Sequence, residues 1–486
     1  MTQTPENKGE SAAQSAPRPA PQAAPWGDLF RDGRANYSSI VMLGVIVHAL
    51  QILVVVIIMP TVVADVGGAD FYTWPSMLYT VGAIVGTASV GPLWAACGRR
   101  GGTVISAAIF LVATVACALA PSMFALCAAR LVQGYGGGLI FGGGMALIAG
   151  LFNETLRRRI IAAQQGIWMI AQLLGPALGG GFAELGWWRG SFWSMVPLAL
   201  VFMALVWFRV PEEDPSGEPP RAQAIPFLRL SLLAAGVFAI GLSGPVHDLA
   251  PRVALFAVAA ALVWLTLRLD SRAANRLYPT AAFSPRSPVG LGLLVLFTGG
   301  MAQTSVNLFM PLLLQVVHGV TPLFISFIAI IISFGWTLGT FAVSGWSGRR
   351  EDWALRAGPI LMFIGIGTMA LIAAKPMLGV LAIAAFVLGV GVGIHNVHIV
   401  ARTIAHARKG EERITSAAVP SMRSLGTAFG AAVAGGISTM AGLGDATEPE
   451  NVGRAVTLVY AFNLLPLVLA VVFVTMLVRM GRRAGA

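Results

Sequence analysis

The sequence predicts an all-α membrane protein of fourteen transmembrane helices, arranged as two six-helix bundles with two extra central helices between them. Three observations carry this expectation. Of 486 residues, 56% are hydrophobic and only 11% charged, a composition of the membrane class. Apolar runs of the roughly 20 residues that a helix needs to span a bilayer recur along the chain. The arginines fall in alternate loops, the asymmetry that marks the cytoplasmic side of an inner-membrane protein.

Residues 1–37 are rich in Ala, Pro, Gln and Ser and lack the apolar core of a signal peptide, so they read as a disordered cytoplasmic tail. Apolar spans then follow at 38–63, 72–95, 102–120, 122–150, 160–183, 192–209, 226–245, 252–268, 289–316, 321–346, 355–374, 377–401, 414–441 and 455–479. This gives an N-terminal bundle over 38–210, a linker with two further spans over 211–288 and a C-terminal bundle over 289–486.

The loops check the count. Arg99 and Arg100 follow span two, Arg157, Arg158 and Arg159 span four, and Arg209, Arg221 and Arg229 flank the loop after span six. Arg268, Arg272, Arg276 and Arg286 follow span eight, Arg349, Arg350 and Arg356 span ten, and Arg402, Arg408, Lys409 and Arg413 span twelve. The opposite loops hold only Arg189, Arg252, Lys375 and Arg454. Alternation that survives to Arg482 and Arg483 implies an even number of spans and two cytoplasmic termini. It also spreads the formal charge of +11 over many loops, which argues against a nucleic-acid partner. Gly98-Arg99-Arg100 after span two and Gly348-Arg349-Arg350 after span ten suggest an internal repeat, as in secondary transporters. Cys97, Cys117 and Cys127 make no disulfide framework.

Candidate functional residues are the polar groups inside spans. Arg130 stands in mid-span, where a cation costs about 2.5–3.5 kcal/mol on insertion scales. It therefore marks a polar cavity or a partner, the structural alternative being an arginine that binds carbonyl ends. Gln133 lies one turn on, and Gly134 and Gly138 would let a neighbouring helix come close. His48 and Gln51 share a helix face, as do His395 and His398. Histidine titrates in the physiological range and is a candidate proton carrier; a packing role is the alternative for each. Gln172, Gln303, Asn307 and Asn396 complete the expected substrate or proton pathway, though amides also join helices. Arg423, nearer a span end, reads as a snorkelling side chain. Every carboxylate lies in a loop or at a span end. No metal or cofactor site is expected, because His395 and His398 have no acidic or thiol ligand close in sequence.

Small residues and Gly91, Pro92, Gly98, Arg99 and Arg100 close span two, while span five carries Gly166, Gly175, Pro176, Gly179 and Gly180. Together with Arg130 to Gly138, Ile58 to Asp65, Trp188 to Phe192 and Pro311 to Gly319, these resemble the motifs of the major facilitator superfamily, within it the fourteen-helix drug/proton antiporter branch of the EmrB/QacA type. The resemblance covers residues 40–480. It implies alternating access, a monomer, amphipathic or lipophilic substrates, and no enzymatic activity. A periplasmic adaptor and protons stand as candidate partners. Two departures matter. Ala95 and Ala96 stand where the family carries an aspartate and a basic residue, removing its charge latch. Gln51 stands where it carries a first-helix aspartate, and an amide cannot titrate. The expected function is an exporter, coupled to protons through histidine if at all. An uncoupled lipid or amphiphile flippase and a non-transporting receptor on a degenerate transporter fold are the alternatives.

Overall fold

A computed structural model describes residues 26–31, 34–152, 154–212, 226–243, 246, 248–273, 276–443 and 448–484. All regular structure among them is helical: α1 (Arg34–Val66), α2 (Trp74–Ala118), α3 (Met123–Leu151), α4 (Glu154–Glu184), α5 (Trp188–Trp193), α6 (Met195–Arg209), α7 (Phe227–Leu242), α8 (Leu249–Arg272), α9 (Pro288–Leu312), α10 (Pro322–Val343), α11 (Arg349–Ile372), α12 (Leu378–Ala405), α13 (Glu412–Met440), α14 (Pro449–Phe462) and α15 (Leu464–Ala484).

Eleven helical stretches among the described residues are long and apolar enough to cross a membrane. The stretch that ends with α2 counts once but is two helices in series, and α7 is a shorter apolar helix. The chain therefore has eleven to thirteen candidate crossings. The helix expected at 414–441 forms as α13 but is not among them.

The breaks have local causes. Inside α2 the expected loop shrinks to one residue, Gly98, whose φ of 70° and ψ of 169° are open only to glycine. Gly348, at the matching place before α11, also has a positive φ, of 60°. The last expected span divides at Asn463, where Pro466 can give no N–H to the turn before it. The tail also ends earlier than expected. Residues 1–25, 32 and 33 lie outside the described part, but Trp26–Phe30 forms a 3-10 turn. It is pinned because Leu29 is fully buried and its carbonyl accepts from Ser38 Oγ at 2.8 Å.

The tightest packing joins α2 to α3. A Cβ on Gly134 would lie 2.1 Å from the Tyr79 carbonyl oxygen, and one on Gly138 2.1 Å from that of Ala83. In return, Gly82 and Gly86 of α2 would meet the carbonyls of Leu131 and Tyr135. The two backbones interlock over two turns, which brings α2 side chains within reach of Arg130.

The helices α1–α6 and α9–α15 meet at the end opposite the arginine-rich turns. There Ser326 Oγ of α10 donates to the Pro176 carbonyl at 2.5 Å, and Leu323 N to Glu184 Oε2 at 3.3 Å. A Cβ on Gly180 would strike Ser326 and the Pro322 carbonyl. Tyr72 donates to the Leu308 carbonyl at 2.9 Å, and Gly435 of α13 rests on Thr73. At the arginine-rich end Ala95, Ala96, Cys97, Arg349 and Arg350 are exposed.

The hairpin α7–α8 packs on the α2–α13 side of this seam, with the Phe238 ring 5.4 Å edge-on to Trp74 and Gly241 against Met77. Arg229 of α7 pairs with Asp270 of α8, both buried. Asp270 also accepts from Leu277 N at 2.8 Å and Tyr278 N at 3.1 Å, tying the hairpin to the segment that leads into α9.

Gly138→Ala is expected to lower the thermal midpoint of the purified protein by several degrees, since overpacking costs roughly 1–3 kcal/mol. Gly91→Ala, whose Cβ would meet nothing within 4 Å, should leave the midpoint unchanged or raise it through helix propensity. Equal effects would contradict the interlocked α2–α3 interface.

Candidate functional site

Two polar clusters lie inside the helices, one in each half. In the first, Arg130 is fully buried. Its Nη1 donates to Gln133 Oε1 at 2.5 Å and to Gln51 Oε1 at 3.4 Å, its Nη2 to the Gln51 carbonyl at 3.4 Å, and its Nε to the Pro75 carbonyl at 3.2 Å. The guanidinium also lies 4.1 Å from the centroid of the Tyr79 ring. Pro75 begins α2, Gln51 sits in α1 and Arg130 in α3, so one side chain ties three helices together. No carboxylate among the described residues pairs with it. Neutral acceptors and a π face surround the charge instead, as a cation removed from water requires.

Gln133 passes the network on. Its Nε2 donates to Thr114 Oγ1 at 2.8 Å, and Thr114 donates to the Phe110 carbonyl at 2.7 Å. Tyr79 links Arg130 to His48, since its hydroxyl lies 3.0 Å from His48 Nδ1. The His48 ring stacks on Phe141 at 5.2 Å and meets Trp168 edge-on at 6.4 Å. Gln51 Nε2 is buried without a partner.

The second cluster lines a narrow cleft of about 10 Å³ between α9, α11, α12 and α13, bordered by Gln303, His395 and Arg423 among small and apolar residues. Arg423 Nη2 donates to Asn396 Oδ1, and the guanidinium lies 5.6 Å from the centroid of the Trp336 ring. His395 Nδ1 is 2.8 Å from the Gly391 carbonyl. A carbonyl only accepts, so Nδ1 carries the proton and the neutral ring presents Nε2 as an acceptor on the cleft.

The structure sorts the expected residues. It brings His48, Gln51, Arg130 and Gln133 together, and Gln303, His395 and Asn396 together. Arg130 is packed rather than facing open space, with donors reaching α1, α2 and α3, two of them to carbonyls as the structural alternative has it. His398 points away from His395, with Nε2 3.1 Å from the Val343 carbonyl at the end of α10, and is a helix-joining residue. Gln172 is half-buried and Asn307 exposed; neither joins a cluster. Gly175 and Gly179 pack on Leu53 and Val54 of α1, whereas Gly91, Gly98 and Gly166 have open space around them. Arg99 lies over Trp94 at 5.9 Å, and Arg100 over Trp207 at 4.4 Å with Glu212 3.7 Å away. These ring contacts stand where the missing aspartate would have paired the arginines. In the second half the corresponding turn keeps its carboxylates, with Arg402 Nε 2.9 Å from Glu351 and Nη2 3.1 Å from Asp352.

Sequence reasoning missed Tyr79, Thr114, Phe141, Trp168 and Trp336, which carry no spacing signal, and discounted Arg423. Arg423 met the same criterion as Arg130, a charge within a span, and that signal sufficed to find it.

These helices and their intramembrane polar clusters define a membrane transporter. A family model described as the Major Facilitator Superfamily matches residues 41–431, and the chain belongs to that superfamily, a family of transporters rather than enzymes. The chain is 30% identical over 441 residues to a probable multidrug-efflux transporter of Mycobacterium tuberculosis, covering 88% of this chain and 93% of the relative. It is 31% identical over 229 residues to a probable triacylglyceride transporter of Mycobacterium bovis, covering 45% of this chain and 43% of the relative. Among solved structures, the fold resembles the xylose transporter XylE from E. coli, with a TM-score of 0.57, 14% identity, and coverage of 89% of this chain and 97% of that one. It also resembles the human organic anion transporter MFSD10, with a TM-score of 0.56, 16% identity, and coverage of 90% and 99%.

Arg130→Gln should destabilise the protein, because Gln51 and Gln133 are left buried with acceptors unmet, at roughly 1–3 kcal/mol for each group. Arg130→Lys should rescue little, since a point charge cannot reach α1 and α2 at once. Thermal midpoints and yields after solubilisation check this; wild-type stability in Arg130→Gln would contradict the tie between three helices.

Proposed function

We propose that this protein is a secondary exporter of amphipathic or lipophilic small molecules, working by alternating access from the inner membrane with both termini in the cytoplasm. Within the superfamily we place it in the fourteen-helix drug/proton antiporter branch. Counting both parts of α2, the α5–α6 and α14–α15 pairs as single passes, and α7, α8 and α13 as passes gives fourteen crossings. The arginine-rich end is then cytoplasmic by charge asymmetry.

The observation that carries this reading is the position of the seam. The two halves are joined at the outer end through Pro176, Gly180, Tyr72 and Thr73, while the inner ends of α2 and α11 stand exposed. A binding cleft that opens inward collects its substrate from the cytoplasm or inner leaflet. Rocking about the seam would present it outward. The relative named a probable multidrug-efflux transporter, matched over nearly its whole length, supports export.

His48 and His395 are the coupling candidates in this reading, because no carboxylate lies in mid-span. A second reading, an uncoupled lipid or amphiphile flippase, draws on the same lack of carboxylates and on the relative named a probable triacylglyceride transporter. Monomeric action, with a periplasmic adaptor as an optional partner, completes the proposal.

Flux of a lipophilic dye in proteoliposomes, with and without an imposed pH gradient, separates the readings. Export predicts gradient-driven flux in the wild type that becomes gradient-indifferent in His48→Gln or His395→Gln. Flux that ignores the gradient in the wild type would replace coupling with the flippase reading, and no flux of any dye would count against both.

A further inference from the structure

Arg423 and Arg130 are both cations inside helices, but their surroundings differ in kind. Arg130 has its donors engaged and no exposed surface. Arg423 has a single hydrogen bond among the described residues, to Asn396, and one ring beside it. Its remaining N–H groups are neither bonded nor sealed from the cleft, as they do not figure among the buried polar atoms without partners. Two further polar groups converge there. The Gln303 amide has no partner among the described residues, and His395 Nε2 is an open acceptor. Gly299 leaves room in the α9 wall, whereas Gly300 packs against the Arg423 carbonyl. Val295, Leu296, Met362 and Val392 make the rest of the lining apolar.

We propose that Arg423, oriented by Asn396 and Trp336 and beside Gln303, binds the carboxylate head of an acidic amphiphile once rocking of the two halves widens the cleft. This deepens the exporter reading and rests on it for the direction of movement, but not for binding. The guanidinium is a planar fork that matches a carboxylate through two parallel bonds. Asn396 fixes one edge of the fork, and the Trp336 ring lies alongside it. That leaves the other edge for a ligand. Gln303 can donate to the second carboxylate lone pairs. The sign of the charge follows from the whole molecule. All carboxylates lie in loops or at helix ends, whereas Arg130 and Arg423 lie within them, so the interior field repels a cationic head and attracts an anionic one. A neutral lipid would leave the charge of Arg423 without a counter-ion in a site poor in water.

The test is equilibrium binding to the full-length protein in phosphatidylcholine nanodiscs, with empty nanodiscs as the partition control. Dodecanoate, its methyl ester and dodecylammonium each compete against a fluorescent fatty acid. The wild type should bind dodecanoate at least about tenfold more tightly than the ester, and the ammonium most weakly, as expected for a charge-assisted hydrogen-bonded pair. Arg423→Gln should abolish that preference while leaving ester binding unchanged, and Arg423→Lys should restore part of it. If Arg423→Gln does not fold, Asn396→Ala, which keeps the charge but frees the fork, should weaken dodecanoate severalfold and leave the ester unaffected. A wild type that binds ester or ammonium as well as dodecanoate would overturn the proposal, as would undiminished preference in Arg423→Gln or, where that does not fold, in Asn396→Ala. Arg423-dependent carboxylate binding without flux in proteoliposomes would uphold the site and sink the exporter reading instead.

Discussion

A guanidinium inside hydrocarbon must be given acceptors, and that requirement organises the first half of the molecule. Arg130 meets it with oxygens from α1, α2 and α3 and with the face of Tyr79. To bring them close enough, α2 and α3 must touch backbone to backbone, which only Gly82, Gly86, Gly134 and Gly138 allow. The cation and the glycines are thus one device: without close approach the charge would lack the Pro75 carbonyl and the Tyr79 ring. Without the charge, Gln51 and Gln133 would be orphaned polar groups in the interior. The result is a rigid three-helix unit, with His48 held at its edge by the Tyr79 hydroxyl.

Rigidity in each half is what makes a hinge at their junction meaningful. The seam between halves packs α10 on α4 and α13 on α2, with Ser326 against Pro176, Gly180 against α10, Tyr72 against Leu308 and one apolar core running across it. The matching positive-φ glycines at 98 and 348 mark equivalent turns in two related halves. The latches at those turns have diverged. The second half keeps an ion-pair cluster on Arg402, while in the first Arg99 and Arg100 lie over tryptophans and Arg100 also reaches Glu212.

The helices were legible because length, apolarity and loop charge are properties of contiguous sequence. The arginine turns, the glycines facing α2 and the division at Gly98 all lay within short windows. Much of the polar clusters was not legible, because their partners lie far apart along the chain. Gln51 to Arg130, Pro75 to Arg130, Asn396 to Arg423 and Val343 to His398 are contacts that only packing creates. The different surroundings of His395 and His398 were hidden for that reason. Helical spacing put them on one side, but the carbonyls of Gly391 and Val343 draw the two rings to different neighbours. Arg423 was discounted on its depth alone, and its depth does not reveal that Asn396 and Trp336 hold it inward.

Alternating access about the outer seam is tested most directly by electron–electron spin distances in nanodiscs. One label pair sits at Cys97 and Arg350→Cys on the arginine-rich ends, the other at Glu184→Cys and Leu323→Cys across the seam. During gradient-driven transport the inner pair should shorten as the outer pair lengthens. Distances that stay fixed while flux proceeds, or that change in the same direction at both ends, would contradict a rocking exchange between two rigid halves.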